Sequence, residues 1–309
     1  MRGAAVALAA TMACAAPAVA QQLAFSRVTH GGDETFNYRW KDPASREHAI
    51  SFTLTRPAIR EAEESFAEFS MEAMWRRLEA ALRDETQRFG QGTRIELTRA
   101  IDGLRWTVFA SDRATADLLS RLLSARFERE QLAYLSRHLR QKVGSRVMVD
   151  FAGATAALLV PMRPVADALY HAFGNRDDER FRIASALGFF QEIPYVLLED
   201  KARRGGDFLA APALLAQNRG DCDSKAVALA AVLRSFTPWR KLAVVTMPGH
   251  AILAVDVAAG PEEMTILSRG RRYVALEAAG PLLAPVGQVA PRTARYLREG
   301  REIEIWPLN

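Results

Sequence analysis

Along the first half of the chain, apolar positions alternate between a period of two and a period of three to four. Phe36, Tyr38 and Trp40 alternate with polar residues, an Asp42-Pro43-Ala44-Ser45 turn follows, and Ile50, Phe52 and Leu54 alternate again. Residues 36–56 therefore read as a β-hairpin, ended by Pro57. Over 58–88, Phe66, Phe69, Met74, Trp75, Leu78 and Leu82 keep helical spacing. Glu61, Glu63 and Glu64 crowd the first turns, where the positive helix end favours them. Residues 94–99 and 104–110 flank Ile101-Asp102-Gly103 and predict a second hairpin with an Asp-Gly turn. Residues 112–142 return to helix through Leu118, Leu119, Leu122, Leu132, Leu135 and Leu139. This half reads ββα-ββα, a small α+β unit without a catalytic cluster, its Arg-rich helices expected to be solvated faces.

The stretch from Gly144 to Pro161 reads as a boundary. Helices are expected near 162–173 and 177–190, then Ile193-Pro194-Tyr195, then a surface loop from Lys201 to Pro212 carrying Gly205-Gly206. Residues 223–236 predict a helix with Ala226, Leu229, Ala230, Leu233 and Phe236 on its apolar face, stopped by Pro238. Strands follow at 242–247, 251–257, 264–267, 272–277 and 303–306. The second half is thus helices followed by an antiparallel sheet. The expected organisation is α+β throughout, with one domain over 21–143 and another over 144–309.

Composition adds exclusions. With 49% hydrophobic and 25% charged residues the chain is ordinary globular chemistry. A net charge of +5, from 41 Lys and Arg against 36 Asp and Glu, is too mild to call for a nucleic-acid partner. Two cysteines exclude a disulfide-rich scaffold and a Cys-based zinc cage. The opening MRGAAVALAATMACAAPAVAQQ has a basic start, an apolar run and Ala18-Val19-Ala20 before Gln21, which predicts an export signal over 1–20 cut after Ala20. A periplasmic or secreted protein is expected. A lipoprotein signal at Cys14 fits less well, because Thr11-Met12-Ala13 is a poor acylation triplet. No later run reaches 18 uninterrupted apolar residues, so no transmembrane helix is expected.

Cleavage after Ala20 leaves Cys222 as the only thiol. It stands in Gly220-Asp221-Cys222-Asp223-Ser224-Lys225, at the head of the 223–236 helix. Unpaired N–H groups and the helix end favour a thiolate there, while Asp221 and Asp223 oppose it, so a cationic partner is needed. His250 follows in Pro248-Gly249-His250-Ala251, at the mouth of a strand. Asp256 and Glu277 are candidates to orient its ring. Asp256 lies six residues along the same strand, about 20 Å away. Glu277 ends a later strand that antiparallel pairing could bring beside His250.

The stretches GDCDSKAVALAAVLRSF, PGHAILAVD and RRYVALEAAGP, with Gly287 after them, resemble the bacterial transglutaminase-like cysteine peptidase group of the papain-like transglutaminase superfamily. Gln191-Glu192-Ile193-Pro194-Tyr195 is similar to the segment preceding that group's active-site loop. The resemblance covers roughly Val147 to Asn309. It implies a Cys-headed helix packed on an antiparallel sheet, with Cys222 as nucleophile, His250 as general base and Glu277 as orienting acid. The activity it implies is cleavage of a peptide or amide bond in a cell-envelope or surface protein through an acyl-enzyme thioester. Transamidation, or a non-catalytic interaction module keeping the fold, are the alternatives. The Cys222 backbone N–H and the Gln191 side chain are candidate oxyanion donors. Ala278-Ala279 departs from the Pro-Thr frequent after the acid, and Ile252-Leu253 from a frequent Trp, so the substrate stays open. Some members carry calcium near the active centre, but no Asp-x-Asp-x-Asp-Gly loop is visible here, and no cofactor or metal is called for.

Overall fold

The structure, a computed structural model, describes residues 21–42, 46–100, 103–173, 178–198 and 207–308. The expected export signal, the Pro43–Ser45 part of the first turn, Ile101-Asp102 of the second turn and residues 201–206 of the expected loop lie outside them. The architecture is mixed α and β, with antiparallel sheets among the described residues.

The first hairpin is part of a three-stranded sheet of β1 (Gln21–His30), β2 (Asp33–Lys41) and β3 (Glu47–Thr55), ordered β1-β2-β3. Phe36 pairs with Phe52 and Tyr38 with Ile50, so the alternating apolar residues share one buried face. The edge strand β1 is largely exposed and bulges between Gln22 and Ala24, which is why it lacks an alternating signal. Pro57 sits in the first turn of α1 (Arg56–Glu68), where its missing N–H costs nothing. The expected 58–88 helix is two helices. Ser70 is extended at φ −155° and its hydroxyl caps Ala73 N at 3.0 Å, opening α2 (Met71–Phe89). Then come the hairpin of β4 (Arg94–Ala100) and β5 (Gly103–Phe109), and α3 (Arg113–Arg137). The expected helix to 142 stops early because Leu139 turns left-handed at φ 55°. A hairpin of β6 (Arg140–Val143) and β7 (Arg146–Val149) follows, turning at Gly144 with φ 59°.

The second half holds α4 (Phe151–Leu158), inside the expected boundary, then α5 (Arg163–Ala172), α6 (Glu179–Glu192), α7 (Ala211–Gln217) and α8 (Cys222–Phe236). Helix α7 begins with Pro212 in its first turn, where a proline starts rather than breaks a helix. Strands β8 (Leu242–Met247), β9 (His250–Val255), β10 (Thr265–Ser268) and β11 (Arg271–Leu276), helix α9 (Pro291–Glu299) and β12 (Glu304–Leu308) complete the chain. They form an antiparallel sheet ordered β10-β11-β9-β8-β12. Its central strands are buried on both sides. Leu242, Val244, Leu253 and Val274 share a core with α8, while Ala243, Val245, Ile252 and Tyr273 share another with Tyr296 and Leu297 of α9.

The divide between cores does not follow the expected 143/144 boundary. Phe36, Tyr38, Trp40, Ile50, Phe52 and Leu54 belong to the same core as α5 to α8. The Tyr38 hydroxyl donates to Leu215 O at 2.7 Å. A separate core joins Phe69, Met74, Leu78, Leu82, Leu119, Leu123 and Leu135. The first sheet is thus part of the body that carries Cys222, and residues 69–135 form a lobe upon it.

Candidate functional site

Cys222 opens α8. Asp221 caps the helix, its Oδ1 accepting from Ser224 N at 3.3 Å, and Asp223 Oδ1 accepts from the same N–H at 2.7 Å. The turn before it is tight: a Cβ on Gly220 would lie 2.6 Å from the Leu214 side chain, so only glycine lets α7 and α8 approach this closely. Helix α8 packs against β9, and the partly buried Cys222 sulfur accepts backbone N–H groups of Ala251 and Asp223. The nucleophile candidate therefore rests against the residue that follows His250.

The imidazole partner is Glu277. Leu276 pairs with Leu253, so continuing the register sets Glu277 one diagonal step from His250 on the same sheet face. His250 Nε2 and Glu277 Oε1 are 2.7 Å apart. Nδ1 is then the ring atom left for a proton. Glu277 is buried and its other oxygen accepts from Thr293 Oγ1 of α9 at 3.0 Å. Asp256 lies elsewhere, held by Lys241 N at 2.6 Å and by Arg271 at 2.5 Å.

Gln191 departs from its expected role. Its Nε2 donates to Glu277 O at 2.8 Å and to Ala284 O at 2.9 Å. Both amide protons are spent on the backbone around the acid, so Gln191 positions Glu277 and offers nothing to an oxyanion. From that segment it is the Tyr195 hydroxyl that hydrogen-bonds Cys222. The Ile193–Val196 strap is stitched to the head of α8. Gly220 N donates to Pro194 O at 3.2 Å, Val196 N to Gly220 O at 3.1 Å, and Lys225 Nζ to Ile193 O. Tyr195 was visible in sequence only through its segment. Thr293 and Lys225 carried no signal, since their roles depend on which element packs beside them.

The electrostatics at the cysteine are set by burial and by the two flanking carboxylates that the sequence already sets against a thiolate. Burial, then the Asp223 and Asp221 carboxylates, push the Cys222 thiol up to about 12, outweighing the two N–H donors. Burial also raises both Asp carboxyls, which hydrogen-bond each other around the cysteine, Asp223 the more strongly. Arg140 lies buried beside them, over the Phe69 and Phe208 rings at 4.9 and 5.3 Å and 3.6 Å from Asp207. Burial pulls Lys225 down to about 7, against the pull of Asp221, Glu192 and Cys222. Among the described residues, no group of three or more His, Cys, Asp or Glu side chains is arranged to hold a metal ion, and no helix is long and apolar enough to cross a membrane.

No protein-family model, curated protein or solved structure matches this chain.

Proposed function

We propose that the chain is an exported thiol hydrolase with a transglutaminase-like core, cleaving peptide or amide bonds of a cell-envelope or surface protein. The observation that carries this reading is the buried Glu277 fixing His250 through Nε2, beside a helix-heading cysteine whose sulfur touches Ala251. With Nε2 bonded to the carboxylate, Nδ1 takes the thiol proton as sulfur attacks the carbonyl carbon. The elevated thiol favours a resting Cys–SH, so deprotonation accompanies attack. The tetrahedral oxyanion is met by the Cys222 N–H at the helix start. The imidazolium then protonates the leaving amine, leaving a thioester. Water attacks the thioester with His250 again as base, releasing the acid and restoring the thiol.

The test is alkylation of Cys222 by iodoacetamide, followed by intact mass from pH 5 to 10. At pH 7 the native chain should react about 100-fold faster than His250→Ala, the usual size of a positioned base. Glu277→Gln should fall between them. Equal rates in the native and His250→Ala chains would overturn the reading. With β-casein and a primary amine, cleaved peptides indicate hydrolysis and amine adducts indicate transamidation; both should vanish in Cys222→Ala.

A further inference from the structure

A cavity lies between the first sheet, α6 and residues 284–286. Its volume is about 380 Å³, within the range of small-molecule sites. One wall is a run of rings: His48 lies 5.5 Å from Trp40 and 5.0 Å from Phe173, and Phe173 lies 6.1 Å from Phe181. Arg46 and Arg180 line it as well, with Asp42 and Glu263.

Helix α6 leaves room for something here. Gly188 is buried in the middle of α6, yet a Cβ on it would meet nothing within 4 Å. A helix-interior glycine is less stable than alanine, and packing does not require this one. It lines the cavity and keeps it open.

The polar groups define what would fit. Asp42 already accepts from Arg46 N at 2.9 Å, from Arg46 Nε at 2.7 Å, and lies 3.0 Å from His48 Nε2. Glu263 accepts from Gly260 N at 2.8 Å and from Arg180. Gly287 makes room for the Glu263 side chain, for a Cβ there would lie 2.4 Å from it, and its φ is +81°. Each guanidinium has five N–H donors, and among the described residues Arg180 gives one more to Ala258 O at 2.8 Å. The carboxylates are engaged and the spare capacity is in donors.

We propose that this cavity binds a small organic anion with a flat aromatic body, the ring against Trp40 and Phe173 and the anionic group on the Arg46 and Arg180 guanidinia. Its floor includes Gln191, the residue that carries Glu277 O and Ala284 O. Occupancy therefore bears on the segment holding the acid, and this regulatory consequence rests on the hydrolase reading. The binding itself does not.

The experiment is calorimetric titration of the full chain with 2-naphthoate, and with 2-naphthylmethylammonium as the oppositely charged probe. The anion should saturate one site at least ten-fold more tightly than the cation. Arg46→Gln should weaken it five- to ten-fold. Gly188→Leu, which fills the cavity, should abolish binding while melting at or above the temperature of the native chain. Ala184→Trp, from an exposed α6 position at the cavity, should do the same if the leucine disturbs packing. No saturation by 2-naphthoate, no preference over the cation, or unchanged affinity in both filled variants would overturn the proposal. None of these readouts uses Cys222, so a failed hydrolase reading and a failed site are separable.

Discussion

In α8 every residue from Ser224 to Leu233 is buried, whereas α3, 25 residues long, buries five. The first is a core helix, apolar nearly all round and held by neighbours on every side. The second is a lobe helix, with one side packed and its charges at the surface. Arg99 pairs with Glu72 at 2.7 Å at the surface, and Arg77 with the half-buried Glu130 at 2.9 Å; such solvent-facing pairs are screened and contribute little. The body does the reverse. It buries Lys225, Asp221 and Glu277 beside the candidate nucleophile, where each charge needs a fixed partner. Buried charge beside the candidate nucleophile thus belongs to the body.

That contrast can be broken by substitution. Leu229→Ala, at a wholly buried α8 position, should cost ~3–5 kcal/mol and remove Cys222 reactivity together with the fold. Leu78→Ala, equally buried in the lobe, should cost ~2–4 kcal/mol but leave Cys222 alkylation near native. Calorimetry checks both. One shared transition, with Cys222 reactivity lost equally in the two variants, would make lobe and body a single unit. Tyr38→Phe removes the bond to Leu215 O and should cost ~1 kcal/mol, seen in the transition that follows Cys222. Its appearance in the lobe's transition would return the first sheet to the lobe.

The smallest effect sharpens the electrostatic side. A carboxyl raised in the folded state contributes stability that is present below its unfolded value, ~3.9 for Asp, and lost as pH rises through the folded value. Asp223 is such a group. Asp223→Asn keeps an oxygen for Ser224 N and should raise the melting temperature at pH 8. The gain should shrink toward pH 4. Melting temperatures across that window test it, and a loss at pH 8 would mean the Asp221–Asp223 contact is net stabilising when ionised.

Local pattern was legible where one face of an element meets one core. The Phe36–Trp40 and Ile50–Leu54 alternation, the paired strands at 94–100 and 103–109 and the strands from 242 to 276 are of that kind. The misses have a common cause. Apolar spacing over 58–88 and 112–142 continues through Ser70 and Leu139, where a cap and a left-handed residue end the helix. Helix α7 was hidden by Pro212, read as loop chemistry.

By itself the sequence determined the hairpins at 36–56 and 94–110, the Cys-headed helix, the strands from 242 to 276 and the residue types offered for chemistry: a thiol at a helix head, a histidine at a strand mouth, and a carboxylate at a strand end. These follow from short-range periodicity and from capping. Only the tertiary structure decided which of them meet. It chose Glu277 over Asp256 through strand register, and turned Gln191 from a candidate oxyanion donor into a brace for the acid. It set the Cys222 ionisation through burial and gave the first sheet to the body. Each of these depends on partners distant in the chain, and burial and hydrogen bonding are properties of the packed neighbourhood.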